Sequence, residues 1–305
     1  MINESFHIPV LTEEVIHYLL LKKNGTYLDA TAGFGGHSAS ILEQLVGGSL
    51  ISTDQDPEAI SYLKSKFKSE ERLSIHQARF SELDKLLCDN DFDGILADIG
   101  VSSYQLNTAK RGFSFMKDGP LDMRMNQNIG EDASSWLSNA SEKEISNILW
   151  KYGEERKAKR IAKAIVEARK NIKIKSTEDL AKIILEEVPR RFNDKKHPAT
   201  KTFQAIRIFI NNELEELKLL LDFTSKHLKI GGRACIISFH SLEDRMVKQF
   251  FRDHSRRDPR LSKLPNLADD SSFKLVSKAI KPSDHEININ PRSRSAKLRV
   301  IERIR

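Results

Sequence analysis

Short apolar runs alternate with helical spacings over the first hundred residues. Tyr27-Leu28-Asp29 reads as a strand that ends in a carboxylate and enters the loop Ala30-Thr31-Ala32-Gly33-Phe34-Gly35-Gly36-His37. Ser38–Leu45 then has a helical pattern, and Leu50–Asp54 is a second short strand closed by an acid. Asp56-Pro57 opens a helix over Glu58–Phe67, with proline at an early helical position where its missing N–H is no loss. Leu73–Gln77 and Phe92–Asp98 predict a third and a fourth strand. Strands alternating with helices in this way predict a parallel sheet joined by crossover helices.

After Asp98 the rhythm breaks. Ile99–Asn126 is rich in Gly, Ser, Arg and Met and fits neither period, and an irregular stretch of this length inside a compact domain is usually functional. From Ala133 to Glu187 apolar positions such as Ile145, Ile148, Leu149, Ile161, Ile165, Ile183 and Ile184 return at helical spacing. The pattern predicts a mostly helical insertion over 105–203, with 1–104 and 204–305 forming one sheet domain. One long helix is expected over Thr202–Leu221, a turn at Leu228–Gly232, a fifth strand over Arg233–Phe239, and two more over Phe273–Ile280 and Lys297–Ile304. Asp253–Asp270 is polar and expected to be a loop.

The loop after the first strand sets the candidate chemistry. Glycines let the backbone approach a ligand closely, and an acid at the end of the second strand suits the two hydroxyls of a ribose. Asp54 is therefore the candidate ribose acceptor. A dinucleotide fingerprint needs a third glycine, but here His37-Ser38 follow Gly35-Gly36. A phosphate-cradling Gly-Lys-Ser/Thr is absent as well. Asp29-x-x-x-Gly33-x-Gly35 instead resembles the first motif of Rossmann-like S-adenosylmethionine (AdoMet) methyltransferases, whose cofactor brings a sulfonium and an amino-acid tail rather than a phosphate.

Charged residues are 30% of the chain and apolar ones 39%, the composition of a globular protein rather than a membrane-spanning one. No membrane partner and a cytoplasmic location are expected, with no secretory leader visible at Met1–His7. Cys88 and Cys235 stand far apart, and no metal-ligand spacing occurs. The net charge of +7 is concentrated. Lys151–Lys175 holds ten Lys/Arg against three Glu, and Pro189–Arg207 six against one Asp. Arg292, Arg294, Lys297, Arg299, Arg303 and Arg305 follow near the end. Such clusters are the footprint of a polyanion binder, although a solvated helix face also carries lysines.

Longer blocks carry a closer resemblance. They are Asp98-Ile-Gly-Val-Ser-Ser-Tyr-Gln-Leu106, Arg111-Gly-Phe-Ser-Phe115, Asp118-Gly-Pro-Leu-Asp-Met-Arg-Met125, Tyr152-Gly-Glu-Glu-Arg156, His197-Pro-Ala-Thr-Lys-Thr-Phe-Gln-Ala205, Ser238-Phe-His-Ser-Leu-Glu-Asp-Arg245 and Asn290-Pro-Arg-Ser-Arg-Ser-Ala-Lys-Leu-Arg299. Together they resemble the RsmH (MraW) family of bacterial small-subunit rRNA cytosine methyltransferases over nearly the whole chain. Tyr104 and Asn107 depart from the family's Pro and Asp. The resemblance implies methylation of the N4 amino group of one cytidine in 16S rRNA near the decoding centre. It implies AdoMet contacts at Gly35, Gly36, His37, Asp54, Phe80, Asp98 and Gln105, with His37 alternatively capping the helix start. The partner would be 16S rRNA or an assembling small subunit, and a homodimer is left open.

The slot after the fourth strand reads Asp98-Ile-Gly-Val-Ser-Ser103 and lacks the Pro-Pro-aromatic element of many amino-methyltransferases. Ser102 and Ser103 join Asp98 as candidate acceptors. His240 and Asp122 are the candidates for proton acceptance or base contact, with structural alternatives of a hydrogen bond to a backbone carbonyl for His240 and an arginine pair for Asp122. Phe113, Phe115 and Met123 are candidates to stack on the target base. Two other classes stay open: a nicotinamide oxidoreductase and a non-catalytic RNA-binding factor.

Overall fold

A computed structural model describes residues 9–190, 197–255 and 271–305. The chain divides into two compact units, one of residues 1–100 with 214–305 and one of 101–213.

The first unit runs α1 Thr12–Leu19, β1 Thr26–Asp29, α2 Gly36–Gln44, β2 Ser49–Asp54, α3 Pro57–Lys66, β3 Leu73–Gln77, α4 Leu83–Leu86 and β4 Phe92–Asp98. The second holds α5 Ser103–Asn107, α6 Ala133–Asn139, α7 Glu142–Gly153, α8 Ala158–Ala168, α9 Thr177–Glu187 and α10 Thr200–Ile210. The first unit is completed by α11 Glu213–His227, β5 Leu228–Ser238, α12 Ser241–His254, β6 Phe273–Leu275, α13 Asp284–Ile289 and β7 Lys297–Arg303.

The sheet order is β3-β2-β1-β4-β5-β7-β6. The pairs among β1 to β5 are parallel, and β7 runs antiparallel to both β5 and β6. This is a Rossmann-like sheet, with the order reversing between β1 and β4. Apolar side chains pack on both faces. Ile95, Ala97, Ala234 and Ile236 join one cluster, while Leu96, Cys235 and Ile237 join the other. The alternation is the two-residue period of a strand buried on both sides. Burial also drives the Cys235 thiol far above its ordinary pKa, so this cysteine is structural. At α3 the expected start signal operates: Asp56 Oδ1 accepts the Glu58 N–H at 3.0 Å, with Pro57 behind it.

Three expectations need correction. The helix expected over 202–221 is two helices, broken at Asn211-Asn212, where Asn212 takes φ 53°. The stretch 228–232 belongs to β5 rather than to a turn. Its glycines lie at an irregularity where the β4 register passes from Phe92↔Leu228 to Gly94↔Arg233, and Gly231 has φ 78°. The strand expected over 273–280 ends at Leu275, with only a lone bridge from Ile280 to Leu298 beyond it. The expected loop at 253–270 lies mostly outside the described residues.

In the second unit, helices α6–α10 enclose an apolar core that includes Leu137, Ile145, Leu149, Ile161, Ile165, Leu180, Ile184 and Ile206. α7 and α9 begin with capping boxes, Ser141 with Glu144 and Ser176 with Asp179. The stretch at 111–125 is folded rather than open. Arg111 is fully buried and donates to the carbonyls of Arg124 (3.1 Å) and Met125 (2.7 Å). Gly112 has φ 72°, and a Cβ there would lie 2.3 Å from the Pro120 carbonyl oxygen. Phe113 and Met123 are core residues, and Phe115 stacks on His197 with ring centroids 4.5 Å apart. Packing claims the side chains proposed for base stacking, because the loop needs them as its own core.

Candidate functional site

The sheet reverses its order between β1 and β4, and ligands in open α/β sheets bind beyond the carboxyl ends of strands at such a point. β1 leaves the sheet bonded to both neighbours. Ala30 N–H donates to Leu96 O and Ala32 N–H to Thr53 O, each at 2.9 Å. Asp29 is fully buried at this exit. Its Oδ2 accepts the Ser38 hydroxyl at 2.6 Å, the Ser38 oxygen lies 2.9 Å from that of Ser52, and its Oδ1 accepts the Thr31 N–H at 3.2 Å. Burial raises the Asp29 pKa, opposed by the nearby imidazole of His37 and the Ser38 hydrogen bond. Asp29 therefore ties loop to helix and is not offered to a ligand.

Gly35 is the N-cap of α2 with φ 76°, and a Cβ on it would come within 2.6 Å of Leu63 and 2.7 Å of Phe67. The loop thus passes α3 at a distance only glycine permits. His37 makes no capping bond, since neither of its ring nitrogens has a hydrogen-bond partner, and this removes the alternative reading of that residue. It is buried instead, with Nε2 3.6 Å from Asp98 Oδ2. Neither ring nitrogen has a hydrogen-bond partner, and neither has Asp98 Oδ1. Unmatched buried donors and acceptors at one point are unusual in a protein interior, and a polar ligand would complete them. The amino-acid tail and sulfonium region of AdoMet offers both kinds of group.

Asp54, half-buried, stands on the other side of β1. Its Oδ2 accepts the Gly33 N–H and its Oδ1 the Asp56 N–H, each at 2.8 Å. Each oxygen keeps capacity for a ribose hydroxyl. Burial pushes its pKa up to about 6 despite those two bonds. Phe80 opens a 3-10 turn just past β3, half-buried against the sheet core, with a ring face suited to an adenine. The residues present in the first unit fit AdoMet: Asp54 would take the ribose, Phe80 the base, and His37 with Asp98 the tail, beside the loop that Gly35 and Gly36 hold against Leu63, Phe67 and Pro9.

Gln105 lies in the second unit, nearly buried at the start of α5. Its Oε1 accepts the Ser102 N–H (3.0 Å), and its own N–H donates to Ser102 Oγ (3.2 Å). Its side-chain carbonyl is engaged in a capping box, and so is the Ser102 hydroxyl.

Asp122 is gripped. Arg124 Nε and NH2 lie 2.8 and 2.9 Å from its two oxygens, and Gln127 donates to it at 3.0 Å. Burial opposes ionisation, but these bonds prevail and hold its pKa below the ordinary carboxylate value. The arginine pairing is thus observed, and a proton acceptor of that kind is weak. His240 is the N-cap of α12, just beyond β5, whose Ile237 pairs with Asp98. Its Nδ1 accepts the Glu243 N–H at 3.4 Å, and its Nε2 lies 3.0 Å from Glu243 Oε1. Glu243 is fully buried, and its Oε2 accepts the N–H groups of Phe239 and His240. His240 is thereby oriented at the carboxyl edge of the sheet next to β4.

The basic clusters divide in two. Lys297 and Arg299 each sit 2.8 Å from Asp244 of α12, and Arg303 donates to the Leu228 carbonyl at 2.6 Å, so these residues fasten β7. Arg160 is taken up by Glu187 (2.7 Å) and Arg169 by the carbonyls of Leu137 and Ala140. Arg156, Lys159 and Lys163 are exposed, the last two on the face of α8 opposite its buried Ile161 and Ile165. Arg191, Lys195 and Lys196 lie outside the described residues. Among the described residues no helix is long and apolar enough to cross a membrane.

Sequence reasoning passed over Thr31, Ser38 and Ser52. The available signal was three hydroxyls placed around the strand-terminal Asp29.

Residues 4–304 match the sequence profile of a family described as the MraW methylase family. A protein of Xanthomonas oryzae named "Ribosomal RNA small subunit methyltransferase H" is 49% identical over 300 residues, 98% of this chain and 89% of its own. A Coxiella burnetii protein of the same name is 49% identical over 305 residues, 98% of this chain and 99% of its own. Among solved structures, an rRNA methylase from Streptococcus thermophilus overlays with TM-score 0.40 and 11% identity, over 96% of this chain and 94% of its own.

Proposed function

The chain belongs to the MraW methylase family, and from that premise we propose that it transfers the methyl group of AdoMet to the N4 amino group of one cytidine in 16S rRNA, near the decoding centre. It is a methyltransferase, and AdoMet is its methyl donor; the nicotinamide and non-catalytic readings fall away. The observation that carries the reading lies at the carboxyl end of β1, with Asp54 bonded to the glycine loop on one side and His37 beside Asp98 on the other, where polar atoms of the last two stay unmatched. The RNA substrate rests on the two relatives' names, and the position of the base on the resemblance of the 98–125 blocks.

AdoMet supplies an already activated methyl group. What is left for the protein is alignment and charge. A cytosine amino nitrogen is a poor nucleophile because its lone pair is shared with the ring. An acceptor must draw on the amino proton as positive charge develops there. Asp98, at the end of β4, is the side chain we assign to that role, and His240, held by Glu243 at the end of adjacent β5, is assigned to contact the base. Asp122, kept anionic by Arg124, suits a hydrogen-bond acceptor toward the base rather than a proton carrier. The first unit binds AdoMet, and the second recognises RNA through the exposed face of α8. Comparing 16S rRNA methylation with and without the protein tests the proposal. A single N4-methylcytidine should disappear in its absence, and an unchanged pattern would overturn the assignment.

A further inference from the structure

One link in the β1–β4 crevice is made by a side chain where the sheet would use backbone. Ile99 N–H donates to Ile237 O on β5 at 2.9 Å. The preceding amide, that of Asp98, points the other way and donates to Thr31 Oγ1 at 2.6 Å. Thr31 is itself fixed, because its N–H donates to Asp29 Oδ1 at 3.2 Å. Asp29 in turn holds the Ser38 hydroxyl, which meets that of Ser52. A continuous hydrogen-bonded chain thus runs from Ser52 on β2 through α2 and β1 to Asp98 on β4, and Thr31 is the member that holds Asp98.

The geometry points to Thr31 as the positioning residue for Asp98. Its hydroxyl stands in for a strand carbonyl where β1 and β4 diverge, and so fixes the direction in which the Asp98 carboxylate leaves the sheet, 3.6 Å from His37 Nε2. The choice of residue follows. Valine has nearly the same shape but no acceptor and would leave a backbone N–H unpaired, whereas serine keeps the acceptor. The inference rests on Asp98 being an AdoMet contact.

The test is a double-mutant cycle read by AdoMet calorimetry, with Thr31→Val, Thr31→Ser, Asp98→Ala and the Thr31→Val/Asp98→Ala pair. Thr31→Val should weaken AdoMet about tenfold, because the Asp98 carboxylate is no longer held toward the cofactor and loses one charged hydrogen bond to it, and Thr31→Ser should stay within about threefold. On the Asp98→Ala background the valine substitution should add less than about twofold, because it acts through Asp98. Wild-type affinity in Thr31→Val, or fully additive losses, would overturn the assignment while leaving Asp98 in the site. Wild-type affinity in Asp98→Ala would instead remove Asp98 from the cofactor site, and this role of Thr31 with it. If the valine variant does not fold, amide exchange in the wild-type protein decides. The Asp98 N–H should exchange as slowly as its strand neighbours, and rapid exchange would overturn the assignment.

Discussion

Asp54 shows how burial makes one carboxylate do two opposed things. Its pKa of about 6 lies above the ordinary 3.8 because burial outweighs its bonds to Asp56 and Gly33. A raised carboxyl favours the folded apo state when protonated. Its contribution to apo stability is therefore full below the ordinary value and is lost as pH rises through about 6. Ribose binding needs the ionised form and moves the other way. AdoMet affinity should fall about tenfold between pH 7 and pH 5, the change in ionised fraction for a group titrating near 6. Asp54→Asn should flatten that profile, and an unaltered profile in this variant would show that another group titrates. At Gly35 a side chain would have to displace Leu63 and Phe67, so Gly35→Val should abolish measurable AdoMet binding in the same calorimetry. The substrate side separates by outcome. His240→Ala should cut methyl transfer more than tenfold with AdoMet affinity nearly unchanged, through loss of base positioning. Asp122→Asn, which keeps an acceptor, should lose less than Asp122→Ala. Equal rates in all of these variants would make both residues structural.

Among the elements, what the sequence showed best was whatever depends on local pattern. Asp56-Pro57 marked the start of α3 to within one residue, and the acids Asp29, Asp54 and Asp98 marked three strand ends, because caps and strand termini are set by neighbours in sequence. What was not legible depends on pairing at long range. Gly231-Gly232 looked like a turn and lies in β5, since only β4 across the ladder decides that an irregularity is tolerated there. The break at Asn211-Asn212 hides inside a continuous apolar pattern, and it is fixed by Asn211, whose side chain bonds Met123 O and Met125 N. Phe113 looked like a base contact because aromaticity does not say whether a core has already claimed the ring. At α8 the pattern separates fold from function more cleanly. With Arg160 held by Glu187, replacing exposed Arg156, Lys159 and Lys163 by Ala should weaken binding to rRNA and lower the salt-dependence slope by about 2, for three charges on single-stranded RNA. AdoMet affinity should not change. An unaltered slope would reduce these residues to a solvated face.

At the scale of the whole molecule, the doubly wound sheet followed from the alternation of strands and helices, and the basic balance pointed to a polyanion. Part of that charge is internal to the fold, as Lys297 and Arg299 on Asp244 show, which net charge alone does not distinguish. The interruption of the sheet domain by 101–213 also has a consequence in time. β4 is buried along nearly all its length and needs β5 as a neighbour, yet β5 begins roughly 130 residues later. At a synthesis rate of about 5–20 residues per second, the half-sheet β3-β2-β1-β4 waits several seconds to tens of seconds on the ribosome with an apolar edge open. Nascent chains arrested shortly after residue 213 should therefore be digested rapidly within residues 26–98 and bind chaperones. Arrest late enough for β5 to have emerged should protect the same segment. The layout makes newly made protein, rather than the finished enzyme, the form most exposed to aggregation during heat stress.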